Sequence, residues 1–393
     1  MLPLYYEFYN PVKIISGRKA LENIPYELGI MQVHKPMIVT DKGVVDNGLL
    51  DIVLNCMKDS GLAIGVIYAE TPPDSSIIAV NKAAALFRDN ACDSIIAVGG
   101  GSVIDTAKGI NIVISEETDD IIRFVGAERL TKIQKPFIAI PTTSGTGSEV
   151  TLVSVIYNPD KNVKMAFTSN LLLPKVTILD PRMTIGLPPF LTAATGMDAL
   201  THAVEAYSCL QKNPLSDAHA IAAITLIRDN LIEAVKNGKN EQARLSLANA
   251  SLFAGAAFSN SMVGSVHGLG HATGAVAHTH HGMTMAIILP HVMDFNLEKA
   301  SENYAALLLH LAGEEIYIKT PAPGRAKKAI ETIRLMNQTL RDICGMSVTL
   351  SQAGVKEDQL EEIARKAMGD GSMMFNPIEM EYNDALRVLK SAF

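Results

Sequence analysis

Histidine is concentrated in one part of this 393-residue sequence, where charged side chains are missing. No Asp, Glu, Lys or Arg occurs between Arg244 and Asp294. Six of the ten histidines lie in that interval: His267, His271, His278, His280, His281 and His291. A charge-free stretch of this length is typical of a buried segment, and buried imidazoles need hydrogen-bond partners or a coordinated ion.

A carboxylate and an imidazole with helical spacing precede this stretch. Asp198 and His202 are four residues apart, so on a helix they share one face. With His267 and His281 they provide one carboxylate and three imidazoles. Such a set suits Fe²⁺ or Zn²⁺, with one position left for a substrate. For Asp198 and His202 taken alone, an ordinary side-chain pair on a helix surface is the alternative.

A glycine-rich turn follows the continuously apolar run Ile95–Val98. The turn is Gly99–Gly101, and a helix is expected to start at about Ser102. Backbone N–H groups and the helix dipole at such a start favour a pyrophosphate. Ser102 and Asp105 have the spacing of a capping box, with Asp in place of Glu. The glycines do not form GxGxxG, so an ordinary strand–turn–helix connection is the alternative for this turn alone.

Two further segments follow predicted strands and are candidates for binding a nucleotide. Pro141–Glu149 is rich in hydroxyls and glycines, and the ends of strands in an open α/β sheet form the ligand crevice. Asp41 follows the apolar run Pro36–Thr40, where a carboxylate can accept a hydrogen bond from a ribose 2′-hydroxyl and repel a 2′-phosphate. A polar surface loop and a turn-forming Asp are the respective alternatives.

The segments that must position these groups alternate between strand and helix up to about Asp180. Strands are predicted at Pro36–Thr40, Ala63–Tyr68, Ser94–Val98, Phe137–Ile140, Thr151–Ile156 and Val176–Leu179. Helices are predicted at Val44–Ser60, Ser75–Asp89 and Ser102–Ile114. Continuously apolar strands are typical of parallel strands covered on both faces, and the alternation predicts a doubly wound parallel sheet.

Three prolines and a glycine between Asp180 and Pro189 interrupt this alternation. Helical periodicity follows almost to the end, with long helices predicted over Ser216–Asn237, Glu241–Phe258 and within Pro321–Met346. The expected fold class is α/β plus all-α. An N-terminal parallel-sheet dinucleotide-binding domain covers residues 1–181, and a C-terminal all-helical metal-binding and catalytic domain covers residues 182–393.

Composition indicates a well-packed globular protein from a reducing compartment. Hydrophobic residues make up 48% and charged residues 19%, and the net charge is −7. An acidic chain without a run of Lys and Arg argues against nucleic acid or an anionic membrane as a partner. The four cysteines form no CxxC, and no signal peptide or run of about 18 apolar residues is recognised, so the cytoplasm is the expected location.

The combined motifs resemble the iron-containing (group III) alcohol dehydrogenases. The resemblance covers essentially the whole chain and is most specific in Gly99–Lys108, Pro141–Thr151, Gly196–Glu205 and Val266–Pro290. It implies that the active site lies between the two domains. It also implies reversible hydride transfer between NAD(H) and a small primary alcohol/aldehyde pair. Members of this family are often dimers or larger, so a homodimer or higher homo-oligomer is expected.

The resemblance also implies a role for individual residues. The metal ligands would be Asp198, His202, His267 and His281, with Fe²⁺ as the ion and Zn²⁺ as the alternative. His271 matches a histidine near the nicotinamide and the substrate that is proposed to take part in proton transfer, and Phe258 matches an aromatic position near the same pocket.

The residues expected to bind NAD form a second set. The pyrophosphate would bind at the start of the predicted helix. The residues there are Gly99, Gly100, Gly101, Ser102 and Asp105. Thr142 and Thr143 would line the nucleotide cleft, and Asp41 would favour NAD over NADP.

Two positions depart from the family pattern, so substrate preference is the least transferable property. Ile378 follows Asn376-Pro377 where many relatives have Arg, and His280 stands where many have Pro. Other enzymes on the same scaffold are alternatives: a dehydroquinate-synthase-like metal/NAD enzyme, a hydroxyacid–oxoacid transhydrogenase or a zinc enzyme acting on glycerol. A dehydroquinate-synthase-like enzyme needs cationic side chains, and Leu245–Met293 supplies none. A metal or nucleotide sensor is the non-enzymatic alternative.

Overall fold

A computed structural model describes residues 3–161 and 163–393 of the chain. The described chain divides into two compact units, Tyr9–Gly186 and Leu187–Phe393, and residues 3–8 group with the second. The domain limits predicted from the sequence, 1–181 and 182–393, remain a prediction.

The first unit contains a six-stranded sheet and a smaller three-stranded sheet. Its strands are β1 (Lys13–Ser16), β2 (Pro36–Val39), β3 (Val66–Tyr68), β4 (Ser94–Gly99), β5 (Gly126–Ala127), β6 (Phe137–Pro141), β7 (Val153–Asn158), β8 (Val163–Thr168) and β9 (Val176–Leu179). The larger sheet has the order β1-β9-β6-β4-β2-β3, and its neighbouring strands are parallel. The predicted parallel α/β architecture is confirmed.

Helices cover both faces of the larger sheet, which explains why its central strands are apolar throughout. The helices of this unit are α1 (Ile24–Ile30), α2 (Lys42–Asp46), α3 (Leu49–Met57), α4 (Ile77–Asp89) and α5 (Gly101–Ser115). Ile95 and Ala97 of β4 pack in a core with α4 and α5. Ile96 and Val98 pack in the opposite core with α1 and α3. Because successive side chains of a strand point to opposite faces, both sets must be apolar.

Three predictions for this unit are wrong in detail. The strand predicted at Ala63–Tyr68 begins three residues later, at Val66. The single helix predicted over Val44–Ser60 is two helices, because the chain breaks at Gly48, whose φ of 71° is left-handed. The strand predicted at Thr151–Ile156 begins two residues later, and it pairs antiparallel with β8, which was not predicted. Only Met165 and Phe167 of the six residues of β8 are buried, so the strand contains no continuous apolar run.

The second unit is helical throughout its described residues, as predicted. Its helices are α6 (Pro189–Ser208), α7 (Pro214–Lys236), α8 (Glu241–Ser259), α9 (Ser265–Ala277), α10 (His281–Ala312), α11 (Glu314–Lys319), α12 (Arg325–Cys344), α13 (Leu360–Ala367) and α14 (Tyr382–Ala392). One extended apolar core joins these helices, with Met197, Leu269 and Ile288 fully buried in it. Within residues 3–161 and 163–393, no helix combines the length and apolar character needed to cross a bilayer.

Candidate active site

Three helices of the second unit bring ligand groups together. Asp198 lies in α6, His267 in the first turn of α9, and His281 is the first residue of α10. Their ligand atoms all lie within 4.8 Å of one another. Oδ1 of Asp198 is 3.4 Å from Nε2 of His281 and 4.0 Å from Nε2 of His267. The three side chains therefore point toward one place.

A glycine allows this approach of α10 to α6. A Cβ atom at Gly282 would lie 2.3 Å from the carbonyl oxygen of Ala194 and 3.2 Å from Cβ of Asp198. Any side chain there would force the start of α10 away from α6. The glycine next to His281 thus permits His281 and Asp198 to meet.

The buried ligand atoms of this cluster fit a metal ion. Oδ1 of Asp198 and Nε2 of His267 are buried and have no hydrogen-bond partner among the described residues. Leaving a buried polar atom without a partner costs about 1–3 kcal/mol, and a coordinated cation removes that cost. One carboxylate oxygen with imidazole nitrogens is a donor set for Fe²⁺ or Zn²⁺.

The protonation of the two buried ligands follows from their burial. Burial, together with the nearby Glu205 carboxyl, raises the pKa of Asp198 to about 8. Burial lowers the pKa of His267 to about 3, with His271 acting in the same direction. The neutral imidazole is the form that binds a metal, and a bound cation compensates the buried carboxylate.

His202 and Phe258 lie beside this cluster. The ring of His202 stacks on His267, with ring centroids 4.4 Å apart, and on Phe258, with centroids 4.3 Å apart. His202 is not among the three residues whose ligand atoms lie within 4.8 Å of one another. The structure therefore brings these predicted residues together, while metal ligation by His202 stays a prediction.

His271 lies one turn after His267 in α9 and faces the same cluster. Its ring centroid is 5.7 Å from that of His267 and 5.5 Å from that of His281. Its Nδ1 is 2.8 Å from Oδ2 of Asp370. Burial acts to raise the pKa of Asp370, but hydrogen bonds from His271 and Ser372 outweigh it and hold that pKa below its ordinary value.

Three histidines of the charge-free stretch do not join the cluster. His278 ends α9 in a left-handed conformation and is exposed, so the expectation that it is buried was wrong. His280 contacts Phe190 edge-to-face, and His291 is hydrogen-bonded to Ser391 over 3.0 Å.

Sequence reasoning gave no role to Glu205 and Asp370. Oε2 of Glu205 is 2.5 Å from Nδ1 of His267. Glu205 lies seven residues after Asp198 on α6, and this helical spacing was a usable signal. Asp370 is separated from His271 by 99 residues, so no local pattern could have indicated the pair.

The predicted nucleotide-binding residues lie at one edge of the larger sheet. In the strand order, the chain leaves β2 toward β3 on one side and leaves β4 toward β6 on the other, so the order reverses between the neighbouring strands β2 and β4. In open α/β sheets, ligands bind at the carboxyl ends of the strands at such a switch point. Asp41 follows β2, the glycine turn ends β4, and Thr142–Thr143 follow β6.

The glycine turn and the hydroxyl-rich loop pack directly on each other. The backbone N–H of Thr142 donates to the carbonyl of Gly99 over 3.1 Å. A Cβ atom at Gly101 would lie 2.8 Å from Cγ2 of Thr146, and one at Gly100 would lie 3.3 Å from the side chain of Thr143. The missing side chains allow the loop to lie against the start of α5.

The predicted capping box of Ser102 and Asp105 is wrong. The helix begins after Gly100, and no side chain caps it. Ser102 Oγ donates instead to the carbonyl of Pro73. The carboxylate of Asp105 accepts hydrogen bonds from Ser148 Oγ at 2.7 Å and from the backbone N–H of Val155 at 3.0 Å. Long-range packing directs these side chains to other segments.

Asp41 makes a local contact. Its carboxylate caps α2 by accepting a hydrogen bond from the N–H of Val44 over 2.9 Å. Recognition of a ribose by Asp41 stays a prediction.

Comparison with known proteins identifies a match over almost the whole chain. The family model "Iron-containing alcohol dehydrogenase" matches residues 11–181, and "Fe-containing alcohol dehydrogenase family, C-terminal" matches residues 192–393. The chain is 37% identical to 1,3-propanediol dehydrogenase of Klebsiella pneumoniae, over 99% of each protein. It is 34% identical to NAD-dependent methanol dehydrogenase of Bacillus methanolicus, over 98% of this chain and 99% of that protein.

Solved structures give the same result. A 1,3-propanediol oxidoreductase superposes with a TM-score of 0.94 at 37% identity, over 99% of this chain and 100% of the other. An alcohol dehydrogenase from Oenococcus oeni has the same TM-score at 34% identity and the same coverage.

Proposed function

The chain belongs to the iron-containing alcohol dehydrogenase family, and we propose that it transfers a hydride between NAD(H) and a small primary alcohol/aldehyde pair. The observation that carries the proposal is the convergence of Asp198, His267 and His281, which includes two buried ligand atoms without a partner among the described residues. The similarity to propanediol and methanol dehydrogenases supports a short primary alcohol as substrate.

Four side chains would hold the metal: Asp198, His202, His267 and His281. The family favours Fe²⁺, and Zn²⁺ accepts the same donor types. When bound, the metal supplies Lewis acidity at the alcohol oxygen. Glu205 would accept a hydrogen bond from Nδ1–H of His267, which leaves Nε2 as the ligand atom.

His271 would receive the alcohol proton and pass it toward solvent. Its side chain is 40% exposed, whereas that of His267 is 3% exposed. Because Nδ1 of His271 is bound to Asp370, Nε2 is the nitrogen that would exchange the proton. Phe258, stacked on His202, would exclude water from the same pocket.

NAD would bind at the carboxyl edge of the larger sheet. The N-terminus of α5 would receive the pyrophosphate at Gly99, Gly100, Gly101 and Ser102. Thr142 and Thr143 would line the cleft, and Asp41 would accept a hydrogen bond from the ribose 2′-hydroxyl. Asp105 would contribute by holding the loop that contains Ser148.

We also propose a cytoplasmic homodimer or larger homo-oligomer. The four cysteines Cys56, Cys92, Cys209 and Cys344 are free thiols, which supports a reducing compartment. Light scattering of the purified protein would test the oligomeric state, and a monomeric mass would contradict it.

Metal analysis of anaerobically purified protein, paired with NAD-linked oxidation of alcohols from ethanol to butanol, tests the proposed function. We expect activity to disappear on chelation and to return with Fe²⁺ or Zn²⁺, and the ion that restores it is the functional metal. Stoichiometric metal without NADH formation would contradict the proposal and favour the dehydroquinate-synthase-like enzyme, the transhydrogenase or the sensor.

A further inference from the structure

A segment near the C-terminus, residues 370–378, contacts the helix that carries His267 and His271. It contains the short helical turn Gly371–Phe375 and the Asn376-Pro377-Ile378 motif. We propose that this segment positions the active site at two points. Asn376, together with Glu205, fixes the first turn of α9, and Asp370 fixes the ring of His271. The proposal rests on the proposed function, because it assigns positioning residues to the same site.

The first point is the side chain of Asn376, which is 3% exposed. Its Oδ1 accepts hydrogen bonds from the backbone N–H of Ser265 at 3.2 Å and from Nδ2 of Asn296 at 2.9 Å. Its Nδ2 donates to Oδ1 of Asn296 and to the carbonyl of Ile378, both at 2.7 Å. Because Ser265 begins α9, Asn376 satisfies one of the N–H groups that a helix start leaves without an intrahelical partner.

Asn296 extends this connection to another helix. Asn296 is 2% exposed and belongs to α10, whose first residue is His281. The two amides exchange hydrogen bonds in both directions, which fixes both side chains. The pair therefore joins the two helices that supply His267 and His281.

Glu205 continues the contact along the same turn of α9. Its Oε1 accepts a hydrogen bond from the backbone N–H of Val266 at 2.7 Å, and its Oε2 lies 2.5 Å from Nδ1 of His267. Asn376 and Glu205 thus bind the successive N–H groups of Ser265 and Val266, and Glu205 also orients the ring that follows. A carboxylate on one imidazole nitrogen directs the other nitrogen toward a metal.

The second point is Asp370. Its Oδ2 binds Nδ1 of His271 at 2.8 Å, while its Oδ1 accepts from the backbone N–H of Ser372 at 2.9 Å and from its hydroxyl. The carboxylate is therefore held by its own turn and cannot follow the imidazole if the ring rotates. This fixes the direction of Nε2 of His271.

Metal affinity of the apoprotein tests the first point without reference to activity. We expect Glu205→Gln, which keeps the side-chain volume, to weaken Zn²⁺ or Co²⁺ binding on the order of 10–100-fold, and Asn376→Ala by roughly tenfold. Asn337→Ala is the matched control, since this buried amide of α12 donates to the carbonyl of Ala286. It should lower stability and leave metal affinity unchanged.

Wild-type metal affinity in a folded Asn376→Ala protein would overturn the role of Asn376. If Asn376→Ala does not fold, the Glu205→Gln variant provides the test. An unchanged metal affinity in Glu205→Gln would overturn the proposal that this network positions His267.

Steady-state kinetics test the second point. Asp370→Asn should lower kcat by roughly tenfold, with metal affinity and the KM for NAD at the wild-type values. Asp294→Asn removes a carboxylate of the same unit that pairs with Arg334, and should leave kcat unchanged. An unchanged kcat in Asp370→Asn would overturn the role of Asp370.

Failure of this inference and failure of the proposed function give different results. If the wild-type protein binds no divalent metal or does not oxidise alcohols, the proposed function fails. If the wild type does both and the variants match it, only the positioning roles of residues 370–378 and Glu205 fail.

Discussion

The two nitrogens of His267 have different surroundings, and this difference determines what the ring can do. Nδ1 lies 2.5 Å from the Glu205 carboxylate, whereas Nε2 lies 4.0 Å from Oδ1 of Asp198. Burial lowers the pKa of the ring to about 3, so the imidazole is neutral at neutral pH. A neutral imidazole whose Nδ1 proton is bound to a carboxylate is ready to ligate a divalent ion through Nε2.

Replacing His267 should therefore remove metal and activity together. We expect His267→Ala to lose stoichiometric metal and to lower turnover on the order of a hundredfold or more, as measured by metal analysis and NADH formation. His278→Asn is the control, because His278 is exposed and Asn tolerates its left-handed backbone. Full metal content in His267→Ala would remove this residue from the ligand set.

Asp41 provides a second test at the residue scale. Asp41→Gly should narrow the preference for NAD over NADP, because the carboxylate that repels a 2′-phosphate is lost. It also removes the cap of α2, which costs a few tenths of a kcal/mol. Asp41→Asn keeps a capping side chain and removes only the charge. An unchanged ratio of kcat/KM values in both variants would show that Asp41 does not read the 2′ position.

At the scale of elements, α5 joins the glycine turn to the loop that follows β6. Lys108 of α5 is fully buried, and burial lowers its pKa to about 8. Its Nζ donates to the carbonyl oxygens of Ser148 at 2.7 Å, Thr151 at 2.8 Å and Val153 at 2.7 Å. The helix whose N-terminus would receive the pyrophosphate thus also fixes the hydroxyl-rich loop.

Lys108→Met should loosen that loop. Three buried carbonyls lose a donor, so we expect the free energy of unfolding to fall by about 2–4 kcal/mol. We also expect the KM for NAD to rise more than kcat falls. Denaturant unfolding measures the change in stability, and steady-state kinetics measure the KM for NAD and kcat. Lys328→Met is the control, because the exposed side chain of Lys328 pairs at the surface with Glu331. A variant with wild-type stability and KM would refute this role of α5.

For the molecule as a whole, acid stability depends on carboxylates that have strong partners in the folded state. The side chain of Asp180 is fully buried and binds Arg182 over 2.6 Å. Burial acts to raise the pKa of Asp180, but the hydrogen bonds from Arg182 outweigh it and lower that pKa below 3.8. Folding therefore favours the ionised form.

The sign of the pH effect follows from this lowered pKa. The stabilisation by Asp180 is fully present above its unfolded pKa near 3.8 and is lost as pH falls through the lower folded value. We expect Asp180→Asn to lower the free energy of unfolding by about 1–2 kcal/mol at neutral pH, with a smaller difference at about pH 3. Asp119→Asn, at a 96% exposed side chain, is the control. Urea unfolding measures the difference in free energy of unfolding between the wild type and Asp180→Asn. A difference that does not change with pH would contradict the role of Asp180 in acid stability.

Local patterns were enough to predict some of the elements that carry the site, although no helix bounds were predicted for α9 or α10. The spacing of Asp198 and His202 predicts one helix face, and α6 contains both. The apolar run before Gly99 predicts a strand, a turn and a helix start, and β4 and α5 have this arrangement. Such features depend on side-chain periodicity and on backbone conformations available to glycine, both of which are set by neighbouring residues.

The partners of these residues were decided only by the tertiary structure. His267 binds Glu205 across 62 positions of sequence, and His271 binds Asp370 across 99. Asp105 has the spacing of a capping box, yet its carboxylate accepts hydrogen bonds from Ser148 and Val155, which the packing of the chain places beside it. The sequence by itself determined most strands of the larger sheet, several of the helices and the residue types that can ligate a metal. Which buried atoms meet depended on how the helices pack, because a hydrogen bond requires two groups to be adjacent in space and not in sequence.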